Sequence, residues 1–377
     1  MDWLTATYHV HATSDTIEAR ARALALEQSV ECPPEAVADQ RVLDEIVGRV
    51  GDIAQIAPGT FRVDVRLAAQ TVGADCAQLI NMLFGNASLW PDVEFVDVEL
   101  PDSLMGMFRG PRHGLPGLRA LLHAPARAMT NVALKPQGLH VPALAAMART
   151  FALSGVDVIK DDHGIVDQTY SPYAQRVPAI QAAVATASAE TGRPSYYAPN
   201  ISGAPRDMHE RARIAREAGC RVVLIAPMLV GLAAFREIVD AFPDLVYLAH
   251  PSFGGATRVA APLLYGKLLR LLGADAVIFV NYGGRFSYAP ETCAALAANL
   301  RARWGALRAA LPVPAGGMLL ERVPELLDFY GRDTMLLIGG NLLIARERLF
   351  ERSAAFVAAV DGHRFVQSER GLAVRHT

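Results

Sequence analysis

From about residue 126 onward the chain repeats one unit: a short β-rich run, a polar or glycine-rich turn, then an amphipathic helical stretch. The β-rich runs are TNVALKP (130–136), VDVIKDD (156–162), SYYAPN (195–200), RVVLIAP (221–227), LVYLAHP (245–251), AVIFVN (276–281), PVPAGGM (312–318) and MLLIGG (335–340). Helical spacing of apolar residues fills the gaps, for example over 142–153, 206–219, 261–272 and 289–303. Eight such units predict a (β/α)8 TIM barrel over residues 126–377. A doubly wound sheet is the rival, but it rarely needs eight units, and no GxGxxG follows the first run.

The first 125 residues read differently. WLTATYHV (3–10), GTFRVDVRLAA (59–69) and VEFVDVELP (93–101) alternate as strands, and helical spacing marks 16–30 and 76–85. This order predicts an α+β N-terminal domain of ferredoxin-like type over residues 1–125. The Gly- and Pro-rich stretch GPRHGLPG (110–117) is expected to be a loop at the boundary.

Net charge is −2, which excludes the basic field expected of a nucleic-acid binder. The four cysteines are widely spaced and fit neither a zinc site nor a disulfide framework. With no apolar run long enough to span a bilayer, a cytoplasmic protein is expected. Of 36 basic residues only Lys135, Lys160 and Lys267 are lysines. Arginine keeps its proton, whereas lysine can lose one, so a lysine retained in an arginine-rich chain draws attention to its amine.

Two of these lysines end β-rich runs. In a barrel the C-terminal ends of the strands form the active mouth. That rule gathers Lys135, Lys160-Asp161-Asp162-His163, Asn200, His250, Arg285, Gly316-Gly317 and Gly339-Gly340. Lys160, Asp162 and His163 read either as a solvated turn with Asp162 as a helix N-cap or as a divalent-cation site. An ammonium cannot bind a cation, but a lysine carbamate, formed with CO2, is an anionic oxygen ligand. Lys135 either reaches out to water or carries protons. The glycine pairs are turns or, taken together, a phosphate cradle of backbone N–H groups. Arg285 is either a surface charge or an anion clamp on a lid. His250 reads equally as a structural histidine or a ligand contact.

GVDVIKDDH (155–163) resembles the strand-two signature Gly-x-Asp-x-x-Lys-Asp-Asp-Glu of the ribulose bisphosphate carboxylase (RuBisCO) large-chain family, and specifically of its RuBisCO-like members that do not fix CO2. ALKPQGL (133–139), AHPSFGG (249–255), AGGM (315–318) and IGGN (338–341) are similar to further family motifs. LFGNASL (83–89) resembles a segment lent to the neighbouring subunit's site, which implies Asn86 and Glu27 as lent residues and a homodimer or higher assembly. The resemblance implies Mg2+ held by carbamylated Lys160, Asp162 and His163, with His163 standing where the family pattern has Glu. Catalytic roles are implied for Lys135, Lys160, His250, Arg285, Asn86 and Glu27, and phosphate binding for Gly316, Gly317, Gly339 and Gly340.

Gln137, Pro251, Ile278, Ala315 and Arg285 depart from the family pattern. These changes imply that one of two phosphate sites is dismantled, and that the substrate is a monophosphorylated keto-sugar or sugar acid, with no CO2 fixation. The expected reaction passes through a Mg2+-stabilised enediolate and is a decarboxylation of the 3-oxo-isoapionate 4-phosphate type. The alternatives are an enolase or isomerase acting on a methylthio-sugar phosphate, and a catalytically silent structural or regulatory relative.

Overall fold

The structure is a computed structural model that describes residues 2–284, 286 and 288–365. Its first sheet contains β1 (Trp3–His11), β2 (Arg49–Ala57), β3 (Thr60–Ala68) and β4 (Val93–Glu99) in the order β2-β3-β1-β4. All pairings are antiparallel, and helices Ile17–Glu27 and Cys76–Phe84 complete the expected ferredoxin-like βαββαβ order. β2 was not legible in the sequence. It is an edge strand with little burial, so no buried face imposed an apolar alternation on it.

The described residues then supply eight parallel strands: β5 (Met129–Leu134), β6 (Val158–Asp161), β7 (Tyr196–Ala198), β8 (Val222–Ile225), β9 (Val246–Ala249), β10 (Ala276–Val280), β11 (Leu311–Ala315) and β12 (Met335–Ile338). Ladders join β12-β5-β6-β7 and β8-β9-β10-β11. A parallel bridge between Asn200 and Leu224 links β7 to β8, and Thr334 donates to the Pro312 carbonyl (3.2 Å) beside β11 and β12. The last strand thus returns to the first, and the ring closes as a barrel.

The barrel interior follows the period of two. On β6, Val158 belongs to the inner cluster with Met129, Leu224, Ile278 and Leu337, whereas Ile159 belongs to the outer cluster under the helices. The N-terminal end of the barrel is plugged by Leu118 and Leu122 of the segment Gly114–Leu121 and its end. This segment corrects the expected loop at 110–117: a helix begins at Gly114. Pro116 lies in its first turn, where the missing N–H costs no intrahelical bond.

Asp275 holds this plug. Its Oδ1 accepts from the backbone N–H groups of His113 (2.8 Å) and Gly114 (2.6 Å), and its Oδ2 accepts from Tyr247 (2.9 Å). Asp275→Asn replaces one accepting oxygen by an NH2 group and leaves a buried donor unpaired. The expected loss of stability is about 1–3 kcal/mol, to be read by chemical denaturation.

The N-terminal domain is tied to the barrel at β4. Phe95 N–H donates to the Arg258 carbonyl (3.0 Å), and Ala260 N–H donates to the Phe95 carbonyl (2.9 Å). Lys267 pairs with Asp97 (2.5 Å) across the same seam.

Candidate active site

β6 delivers the central row. Lys160 lies two residues beyond Val158 and therefore points into the barrel, where its register partners are Ala133 and Ala198. These small neighbours leave room for the long side chain, which is 2% exposed. Its Nζ donates to the Asp161 carbonyl at 3.0 Å. Burial lowers the amine to about 8, against the opposing pull of Asp162 and with the help of Lys135.

The two adjacent aspartates have opposite fates. Asp161 faces outward under the helix Tyr173–Thr191 and is fully buried. It accepts from Arg176 Nη2 (3.1 Å), Tyr197 OH (2.7 Å) and Asn200 N–H (3.0 Å). Asp162 turns back toward the mouth. Its Oδ1 lies 2.6 Å from Lys135 Nζ and 3.3 Å from His163 Nδ1. Burial acts to raise the Asp162 carboxyl, but these two partners and the Lys160 charge outweigh it and hold the group well below the usual range.

His163 stacks on His250, with ring centroids 4.4 Å apart and planes at 15°. His250 is positioned from β9: its N–H donates to the Ile225 carbonyl (2.7 Å). Its Nδ1 receives Ser252 N–H (3.2 Å) and lies 2.8 Å from Ser252 Oγ. Burial is the largest influence on this ring, followed by Lys160 and His163, and together they push its pKa well below the ordinary value. The ring is therefore neutral near pH 7. Because the backbone amide must be the donor to Nδ1, the proton sits on Nε2, which is left to donate to a ligand.

Lys135, Lys160, Asp162, His163 and His250 share one cavity of about 500 Å³ with Gly316, Gly317, Gly339 and Gly340. Gly316 (φ +89°) and Gly317 (φ +69°) adopt a left-handed backbone that a side chain disfavours. Asn341, the last residue of the IGGN motif, joins the two glycine turns: its Nδ2 donates to the Met318 carbonyl at 2.7 Å. The remaining wall is apolar and includes Ala133, Pro251, Ile278, Met318 and Leu337, with Phe286 at the rim.

Two expected site residues, Asn86 and Glu27, stand elsewhere. Asn86 Nδ2 donates to Glu27 (2.9 Å) and Glu31 (3.0 Å) on the N-terminal domain. This pairs the two residues expected to be lent, but neither lines the cavity of its own chain. Arg285 lies outside the described residues.

For a metal, the unmodified donor set falls short. Among the described residues, no group of three His, Cys, Asp or Glu side chains is arranged to hold an ion. A carbamate on Lys160 adds the missing anionic oxygens beside Asp162, and the buried amine with its lowered pKa is suited to react with CO2. The residues fit a divalent cation on that condition.

Residues 114–343 match the family described as ribulose bisphosphate carboxylase large chain, catalytic domain. The ribulose bisphosphate carboxylase-like protein 1 of Rhodopseudomonas palustris is 55% identical over 95% of this chain and 97% of its own. The 5-methylthioribulose-1-phosphate isomerase of Rhodospirillum rubrum is 51% identical over 96% and 97%. The crystal structure of a Rubisco-like protein from Rhodopseudomonas palustris superposes with a TM-score of 0.90 at 49% identity, covering 98% of this chain and 100% of that one. The 2,3-diketo-5-methylthiopentyl-1-phosphate enolase of Geobacillus thermodenitrificans is 30% identical over 96% of this chain and 92% of its own, and the named reactions of these relatives, isomerase and enolase, overturn the expectation of a decarboxylase acting on 3-oxo-isoapionate 4-phosphate. A barrel mouth built on the Lys160 strand, the paired glycine turns and these relatives lead to one assignment: the chain belongs to the ribulose bisphosphate carboxylase large-chain family, in its RuBisCO-like branch.

Proposed function

We propose that this chain is an isomerase of a methylthio-substituted keto-sugar phosphate of the 5-methylthioribulose 1-phosphate class. The observation that carries the reading is the make-up of one cavity lining: the glycine turns after β11 and β12, the apolar side chains of Ile278, Met318 and Leu337, and the ionisable row of Lys135, Lys160, Asp162, His163 and His250. A substrate with one phosphate and one thioether end matches the glycine turns and the apolar side chains of this lining. The 51% identity to an isomerase named for that substrate supports the same reading.

Lys160 as its carbamate and Asp162 are the anionic residues that would hold Mg2+, with the imidazole of His163 as a third donor. Bound there, Mg2+ supplies Lewis-acid polarisation of the substrate carbonyl. The Gly316-Gly317 and Gly339-Gly340 turns orient the substrate by its phosphate. His250 Nε2–H donates to the oxygen on which negative charge develops as a carbon-bound proton leaves. A neutral donor suits this task, because it adds no proton of its own to the enediolate. Lys135 reaches this region from the end of β5, with a third of its side chain exposed. It carries the proton between adjacent carbons: removal beside the carbonyl gives an enediolate, and return to the former carbonyl carbon moves the carbonyl along the chain. No carbon–carbon bond breaks. Asn86 and Glu27, paired on the N-terminal domain, complete the mouth of a neighbouring subunit in a homodimer or larger assembly.

The apolar wall gives a specificity test. Ile278→Asn places an amide against the thioether end. Its expected effect is a loss of about 10–200-fold in kcat/KM for 5-methylthioribulose 1-phosphate, relative to the change for the sugar phosphate bearing hydroxyl in place of methylthio. An equal change for both substrates would remove Ile278 from thioether recognition.

A further inference from the structure

At the end of the barrel opposite the cavity, three arginines gather where the two domains meet. Arg109 and Arg112 lie on the segment that leads from the N-terminal domain into the plug helix, and Arg236 lies on the barrel helix Leu232–Ala241. They line a depression of about 440 Å³ together with Cys76, the first residue of the helix Cys76–Phe84, and Met107. One carboxylate serves two of them. Asp240 Oδ1 accepts from Arg112 Nη2 (2.6 Å) and Arg236 Nη2 (3.0 Å), and Arg236 Nε lies 2.9 Å from Oδ2. Arg109 has no hydrogen-bond or ion-pair partner among the described residues.

The lining is therefore positive by two charges. Burial pushes the Cys76 thiol up to about 11, with Asp75 adding to the shift, so the thiol contributes no negative charge near pH 7. Asp75 itself is spent on capping its helix, where Oδ1 accepts from Gln78 N–H (2.8 Å), and it does not line the depression. Two guanidinium nitrogens, Arg112 Nε and Arg236 Nη1, are buried with no acceptor. Their side chains are only 21% and 13% exposed, so water compensates them poorly.

We propose that this domain seam binds a phosphate-class oxyanion, as a second anion site separate from the glycine turns of the barrel mouth. The stoichiometry of charge favours it: a dianion neutralises the surplus left after Asp240. The donors favour it too. Three guanidiniums from two chain segments offer more N–H groups than one carboxylate can accept, whereas a tetrahedral oxyanion presents acceptors in several directions. The bound anion bridges the domain-linking segment and a barrel helix, beside the first turn of the N-terminal domain's Cys76–Phe84 helix. Occupancy stabilises the seam by mass action.

The test is calorimetric titration of the full chain with inorganic phosphate, for the wild type, Arg109→Gln and Arg236→Gln. The glycine turns are common to all three proteins, so differences report the seam. The wild type is expected to bind two equivalents per chain. Each variant is expected to lose one equivalent or weaken it at least tenfold, with a smaller rise of Tm on adding phosphate. Arg109 is exposed, so its variant reads the site without a folding defect. Superimposable isotherms for the wild type and Arg109→Gln would overturn the proposal.

Discussion

Lys160→Met is expected to lower kcat by about 10³-fold or more while the chain remains folded. Methionine nearly matches the volume of lysine in the interior space beside Ala133 and Ala198, but it has no amine. The expected loss is that of the proposed carbamate, and with it the cation it would hold to polarise the carbonyl. Such polarisation supplies several kcal/mol of transition-state stabilisation, and each factor of ten in rate is about 1.4 kcal/mol. Two readouts besides turnover check the cause. The wild type is expected to show a carbamate signal with 13C-labelled bicarbonate and to bind Mg2+ more tightly in its presence; Lys160→Met is expected to show neither.

The amine also sets a pH dependence. CO2 reacts with the free base, and burial brings Lys160 down to about 8. At fixed CO2, the activated fraction is expected to rise with pH through about 8. A lysine at its ordinary value would place that rise above about pH 10.

The second large effect concerns stability. Asp161→Ala is expected to cost about 3–5 kcal/mol in chemical denaturation, because it leaves the fully buried Arg176 without its carboxylate partner. It also strips acceptors from Tyr197 OH and from the amide of Asn200. Asn200 Nδ2 donates to the His163 carbonyl at 2.9 Å, so the same substitution loosens the segment that carries His163. A stability unchanged from the wild type would show that the Arg176 contact carries no weight. Asp161 and Asp162 are neighbours in sequence, yet one supports the strand and the other lines the cavity.

That contrast shows what was legible in the sequence. The alternation of β6 tells inward Val158 and Lys160 from outward Ile159 and Asp161, because a strand in a closed barrel has two chemically distinct faces. The eight barrel strands were legible for the same reason: each is buried on both sides and reads as a short apolar run. The partners of Asp161 were not legible, since Arg176 and Tyr197 come from a later helix and the next strand. Neither was the tautomer of His250, which depends on the turn that brings Ser252 N–H to Nδ1. The edge strand β2 lacked any buried face to announce it. Gly and Pro at 114–116 read as a loop, because residue preference alone does not reveal a helix start packed under a barrel. The reaction was the largest miss. The departures at Pro251 and Ile278 pointed to one phosphate rather than two, but an apolar wall does not distinguish a lost carboxylate from a thioether end until a named relative is set beside it.

The central claim is the isomerisation, and it is tested most directly by incubating the purified chain with 5-methylthioribulose 1-phosphate, Mg2+ and bicarbonate, followed by 1H and 13C NMR. The account predicts conversion to an isomeric keto-sugar phosphate of the same formula, with the methylthio group and every carbon retained and no CO2 released from the substrate. Loss of a carbon as CO2, or no conversion of this substrate by a chain shown to carry the Lys160 carbamate and Mg2+, would contradict it.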